Sequence, residues 1–162
     1  MIRPVIAEDL ALLHTLMLGM AEYEKATEQV CTDKEELRDA LFGPAPVAFA
    51  HFAVDDETGQ VIGYTLWSLV YSSWRGTAIH IDDIHVKPEW AGRGYDTALM
   101  SELAGLAVER GYRHMQWWAT DGNKPAIEFY DSLGAERPSV RGHDLIILRL
   151  TGKPLTDLGS KG

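Results

Sequence analysis

The chain has 162 residues, 46% of them apolar and 24% charged, a composition that suits one folded soluble domain and excludes a disordered chain. Its formal net charge of −9 repels phosphate backbones, so nucleic acid is not an expected partner, while the same field draws in cations such as polyamines or basic amino acids. The single cysteine, Cys31, excludes an intrachain disulfide, and with no membrane-length apolar run and no signal peptide the expectation is a cytoplasmic protein without a membrane partner.

Residues 2–5 suit a short strand, an edge strand if Pro4 lies in it, since proline cannot donate to a ladder. Leu10, Leu13, Leu16, Met17, Met20 and Ala21 recur at helical spacing over residues 7–23, with Glu8 and Asp9 in the first turn. A second helix is expected over 33–41 with Thr32 as N-cap, ended by Gly43-Pro44-Ala45-Pro46. Strands follow at 47–54, 61–71 and 78–86, separated by turn-forming clusters. A glycine-bearing loop then opens an amphipathic helix reaching about Arg110 and closed by Gly111. Residues 113–120 read as a strand, 124–133 as a helix capped by Gly134, and 144–150 as a last strand. The segment 152–162 reads as a flexible tail, leaving one mixed α/β domain over 1–151.

The segment from Ile79 to Leu99 carries the chemistry. It reads as a strand holding Asp82 and Asp83, a turn holding Gly92, Arg93 and Gly94, and the start of a helix at Tyr95. Such a turn presents consecutive backbone amides beside a helix N-terminus, a place for a pyrophosphate, and glycine permits both close approach and positive φ. The segment resembles motif A of the GNAT superfamily of N-acetyltransferases, in which a strand bearing acidic residues runs into Arg/Gln-x-x-Gly-x-Gly/Ala and a helix. Downstream, Asn123-Lys124-Pro125-Ala126-Ile127-Glu128-Phe129-Tyr130-Asp131-Ser132-Leu133-Gly134-Ala135 resembles that superfamily's motif B. Glu22-Tyr23-Glu24, Glu28-Gln29-Val30 and Tyr71-Ser72-Ser73-Trp74-Arg75-Gly76 are similar to its diamine branch, the spermidine/spermine and thialysine N-acetyltransferases.

This resemblance implies an α/β GNAT fold, a mostly antiparallel sheet of six to seven strands flanked by four helices. It implies an enzyme that moves an acetyl group from acetyl-CoA to a primary amine of a small molecule, a polyamine or diamino acid, as a homodimer without a metal. It further implies that the backbone of Ile84, His85 and Val86 receives the pantetheine arm, and that Gly92, Arg93, Gly94 and Tyr95 meet the pyrophosphate. In the same way Asn123 contacts coenzyme A, Tyr130 protonates the leaving thiolate, and Tyr23, Glu24, Glu28, Trp74, Asp82 and Asp83 surround the amine.

Alkyl amines titrate near pH 10, so a base or a water-linked carboxylate must take a proton before attack. Asp82 stands where the resembled branch has a glutamate base, and two readings stay open for it, base or relay against substrate counter-ion. Strand alternation sets His80 with Asp82 on one face and Asp83 with His85 on the other, two ligands per face and too few for a metal. The chain departs from motif A at Ala91, in place of Arg/Gln, and at Asp96, in place of Gly/Ala. A carboxylate about 4 Å from a pyrophosphate charge opposes binding by up to about 4 kcal/mol at an effective dielectric near 20. That departure raises an alternative, a GNAT-fold module that binds or senses an amine with impaired use of acetyl-CoA. A third reading is a GNAT enzyme acting on an antibiotic or a protein N-terminus.

Overall fold

Apolar, strand-forming runs over residues 49–86, broken by two turns, build two consecutive hairpins, which form the middle of the sheet in the computed structural model; it describes residues 1–140, 142–144 and 147–160. The strands β1 (Ile2–Pro4), β2 (Phe49–Val54), β3 (Val61–Ser72), β4 (Gly76–Val86) and β5 (Met115–Trp117) lie side by side in that order. Neighbours are antiparallel except that β5 joins β4 in parallel. Pro4 falls on the edge strand β1, where its missing N–H leaves no ladder bond unmade.

The two faces of this sheet are covered by different helices. Leu10, Leu13 and Leu16 of α1 (Leu10–Tyr23) and Leu37 and Leu41 of α2 (Lys34–Phe42) pack with Ala50, Phe52, Val54, Tyr64 and Leu66. On the other face Leu99 of α3 (Tyr95–Glu109) packs with Ala53 and Ile62, and Ile84 and Val86 join that cluster. Helix α2 starts one residue later than expected. Asp33, not Thr32, is its N-cap, accepting from the Glu35 and Glu36 amides at 2.8 and 2.9 Å, while Glu36 reaches back to the Asp33 amide.

The described chain divides into two compact units, Met1–Trp118 and Ala119–Gly162. The first holds β1–β5 and α1–α3. The second holds α4 (Lys124–Ser132), a ribbon of β6 (Ser139–Val140) and β7 (His143–Asp144), and α5 (Gly152–Gly159). The expected sheet of six to seven strands is therefore five strands plus a separate ribbon, and the described helices number five. Of the strand expected over 144–150 only Asp144 is paired, Leu145 and Ile146 lie outside the described residues, and Ile147, Leu148 and Leu150 are exposed and irregular. An apolar run becomes a strand only where a neighbour pairs with it and a layer covers it. The tail is helical over its described part, with an i,i+4 ion pair between Lys153 and Asp157.

Candidate active site

The β3–β4 pairing slips once, and that slip shapes the site. Leu66 lies opposite Asp83 but Trp67 lies opposite Ile81, so Asp82 is an extra residue, a β-bulge in β4. The same point ends the contact with β5, which pairs only with Ile79 to Ile81. From Asp82 to Val86, β4 thus has β3 on one side and no paired strand on the other among the described residues. Among the described residues no strand pairs with that side of Ile84, His85 and Val86, which is the kind of edge that can accept an extended segment as an added strand.

The bulge also corrects the alternation. Asp83 is opposite Leu66 and His80 is opposite Ser68, and those two partners are two residues apart on β3. His80, Asp83 and His85 therefore share one face, the face covered by α1, instead of being split by Asp82. Tyr64, buried and opposite His85, donates its hydroxyl to Asp83 Oδ2 at 3.1 Å and lies 3.3 Å from Met20 Sδ of α1. Burial pushes the Asp83 carboxyl up to about 6, with the neighbouring Asp82 charge adding and the Tyr64 hydrogen bond opposing. Burial also raises the Tyr64 hydroxyl, and the Asp83 charge raises it further. His85 is lowered by burial, against the opposing charges of Glu24 and Glu89. The Asp82 side chain is exposed. His80 is buried edge-on to Trp118 at 4.8 Å, and among the described residues its Nδ1 has no hydrogen-bond partner. Among the described residues no group of three His, Cys, Asp or Glu could hold a metal ion.

The turn before α3 has the geometry the glycines imply. Gly92 and Gly94 have φ of +73° and +84°, with nothing within 4 Å of where a Cβ would stand, and Gly94 is the N-cap of α3. Two ties hold the turn: Tyr95 donates its hydroxyl to Asp55 Oδ1 at 2.9 Å, and the Arg93 guanidinium lies 4.6 Å from the Trp90 ring centroid. The Tyr95 bond and those from Thr58 hold the Asp55 carboxyl below its usual range, the Thr58 hydroxyl contributing most. The Asp96 carboxylate accepts from the Thr97 amide at 2.8 Å, so it takes one of the first-turn donors that an anion would use.

Glu24 is the C-cap residue of α1 and its charge reaches His85; it is exposed, as are Tyr23 and Glu28. Trp74 is not brought to the bulge. It is exposed at the β3–β4 hairpin tip, in a shallow cleft with Tyr112 and Arg113, about six residues or roughly 20 Å along the strands from Asp83. In the second unit, Asn123 caps α4 by accepting from the Ala126 amide at 3.3 Å, and the partly buried Tyr130 packs against Phe129 at 5.3 Å between ring centroids. Tyr64 and the bulge escaped the sequence reading. Two adjacent aspartates within an apolar strand were the signal, because carboxylates are disfavoured in a regular ladder.

A bulged, acidic β4 that leaves its neighbour and runs through a left-handed glycine turn into a helix is the arrangement implied by the resemblance to motif A of the N-acetyltransferases. Residues 14–135 match the Acetyltransferase (GNAT) family, and the chain belongs to it; it is an acyltransferase enzyme. It is 35% identical over 142 residues to a thialysine N-epsilon-acetyltransferase from Bos taurus, 84% of each chain. It is 32% identical to the enzyme of that name from Sus scrofa, over 88% of this chain and 86% of the relative. An integron cassette protein from the mobile metagenome of V. cholerae shares the fold with a TM-score of 0.77 at 21% identity, covering 98% and 96% of the two chains. Acetyltransferases of this family use acetyl-CoA, and the open β4 edge and the unobstructed glycine turn fit its extended arm and its pyrophosphate.

Proposed function

We propose that the protein transfers an acetyl group from acetyl-CoA to a primary amine of a small molecule, with diamino acids and polyamines as the acceptor class, by direct attack within a ternary complex. The observation that carries this reading is the coincidence, on one strand, of the carboxylate-bearing bulge and the unpaired edge leading into the glycine turn. When bound, acetyl-CoA supplies the acyl group as a thioester. The chain's own groups receive the arm along Ile84 to Val86, offer amides at Gly92 to Tyr95, and place Asp82, Asp83 and Glu24 where a cationic amine is drawn and deprotonated. The net charge of −9 and the relatives named for thialysine acetylation both favour a cationic acceptor. Roles for Tyr130 as proton donor to the leaving thiolate and for Asn123 as a coenzyme A contact rest on the motif alone, homodimerisation rests on the family likeness, and a cytoplasmic location and one catalytic domain over 1–151 rest on composition and element order.

One observation favours a second reading, an amine-binding module with weakened acetyl-CoA use: the Asp96 carboxylate already occupies the Thr97 amide. Titration calorimetry with acetyl-CoA on the wild type and an Asp96→Gly variant separates the two, alongside thiol release with a panel of diamines and diamino acids. We expect micromolar binding and turnover by the wild type, and acetyl-CoA binding about 5- to 30-fold tighter in the variant, the screened remainder of the charge repulsion. Binding by the variant alone would leave the module reading in place.

A further inference from the structure

We propose that Asp83, and not the bulged Asp82, takes the proton from the attacking amine, with Tyr64 as the residue that positions its carboxylate. This rests on the transferase reading above and reverses the roles that the sequence motif implies for the two aspartates. The geometry separates them. Asp82 is the inserted residue of the bulge, exposed, and among the described residues no hydrogen bond fixes its carboxylate. Asp83 is partly buried, one oxygen is held at 3.1 Å by the Tyr64 hydroxyl, and Tyr64 is itself seated against Met20 in the core. A proton acceptor works best with a carboxylate held in place and an affinity close to the working pH; Asp83 is held by the Tyr64 hydroxyl and is raised toward that range. With its carboxyl at about 6, transfer from an amine near 10 spans about two pH units less than transfer to an ordinary aspartate.

The groups facing Asp83 come from each element around it. Asp82 on β4 and Tyr64 on β3 act on Asp83 directly, Met20 of α1 lies against the Tyr64 hydroxyl, and Glu24 at the end of α1 with Lys87 and Glu89 after β4 act on His85, its neighbour on the same face. The proton balance is complete. The ammonium gives one N–H proton to the Asp83 carboxylate, leaving a neutral amine and a neutral carboxyl. The amine lone pair forms the C–N bond to the thioester carbonyl carbon and the C–S bond breaks. The nitrogen's second proton is lost as the thiolate gains one. Asp83 then returns its proton to solvent, His85 being the next titratable group along that face, so the turnover yields amide, thiol and one H⁺.

The test is the pH dependence of kcat/KM for lysine and 1,4-diaminobutane in the wild type and in Asp83→Asn, Asp82→Asn and Tyr64→Phe. It is accompanied by ¹³C-carboxyl NMR titration of the protein without acetyl-CoA. We expect an acidic limb near pH 6 in the wild type, absent from Asp83→Asn together with about a 100-fold or greater loss of kcat. Asp82→Asn should keep that limb, moved to lower pH because the Asp82 charge helps raise Asp83, while raising the KM for the amine. Because the Tyr64 hydrogen bond lowers Asp83, Tyr64→Phe should move the limb to higher pH, a shift that a purely structural tyrosine would not produce. In the free protein one aspartate carboxyl should titrate near 6 and disappear in Asp83→Asn. Loss of the limb in Asp82→Asn with its retention in Asp83→Asn overturns the assignment, as does the lack of any carboxyl titrating near 6. A wild type inactive on every amine would instead remove the transferase reading, and this assignment with it.

Discussion

At the scale of single residues, Asp83 illustrates how a functional carboxylate is held against the preference of the fold. Burial raises its carboxyl to about 6, well above the value near 4 of an unfolded chain. A group whose folded value is raised stabilises most below the unfolded value, and that contribution is lost as pH climbs through the folded one. The window is therefore about pH 4 to 6, and above it the ionised carboxylate opposes folding. Asp83→Asn removes the charge while its amide oxygen still accepts from Tyr64. At pH 7.5 the variant should be more stable by about 2 kcal/mol, raising Tm by several degrees in thermal melts. The gain should shrink as the melts are run at lower pH and vanish near pH 4. An equal Tm at pH 7.5 would mean that water, not the protein, solvates this carboxylate.

At the scale of elements, the close approach of β3 to β4 depends on a missing side chain. Gly63 pairs with Val86, and a Cβ there would stand 2.6 Å from the His85 carbonyl oxygen and 3.2 Å from Val86 Cα, both backbone atoms. The strands would have to part where β4 offers its free edge. Gly63→Ala should destabilise by about 1–3 kcal/mol and raise the KM for acetyl-CoA, measured by melts and steady-state kinetics. Gly105 is the contrasting case. It sits inside α3 with nothing within 4 Å of where a Cβ would stand, so Gly105→Ala should stabilise by about 0.5–1 kcal/mol and leave KM unchanged. Helices α1 to α4 and the glycine turn were legible in the sequence because each has a local cause, such as the leucine spacing of α1, the cap of α4 at Asn123 and the freedom of Gly94 to be left-handed, whereas α5 lies in the segment read as a tail. The bulge was not, because pairing register depends on the partner strand, and one inserted residue reverses the faces of everything upstream of it. Trp74 stands apart from the bulge in this chain for a related reason. Its motif precedes the aspartates closely in sequence, yet an extended strand carries eight residues a long way in space.

At the scale of the whole molecule, the charge of −9 acts on the two proposed substrates with opposite signs. A cationic amine approaches down the potential, toward Asp82, Asp83 and Glu24, while acetyl-CoA brings phosphates toward a turn that carries Asp96 and has Ala91 where a cation is usual. Arg93 does not simply restore the balance, since its guanidinium lies over Trp90. Raising the ionic strength from about 0.01 to 0.15 M shortens the screening length from about 30 to 8 Å, which weakens attraction and repulsion alike. The KM for 1,4-diaminobutane should therefore rise with salt, while the KM for acetyl-CoA should stay level or fall over the same range. The Asp96→Gly variant separates the local charge from the overall field. If the single carboxylate sets the repulsion, its acetyl-CoA KM should lose most of its salt dependence while that of the amine keeps its slope. Steady-state kinetics at fixed pH across that range measures both slopes. Parallel slopes for the two substrates would show that screening of the protein's own folded charge, rather than substrate steering, governs the response.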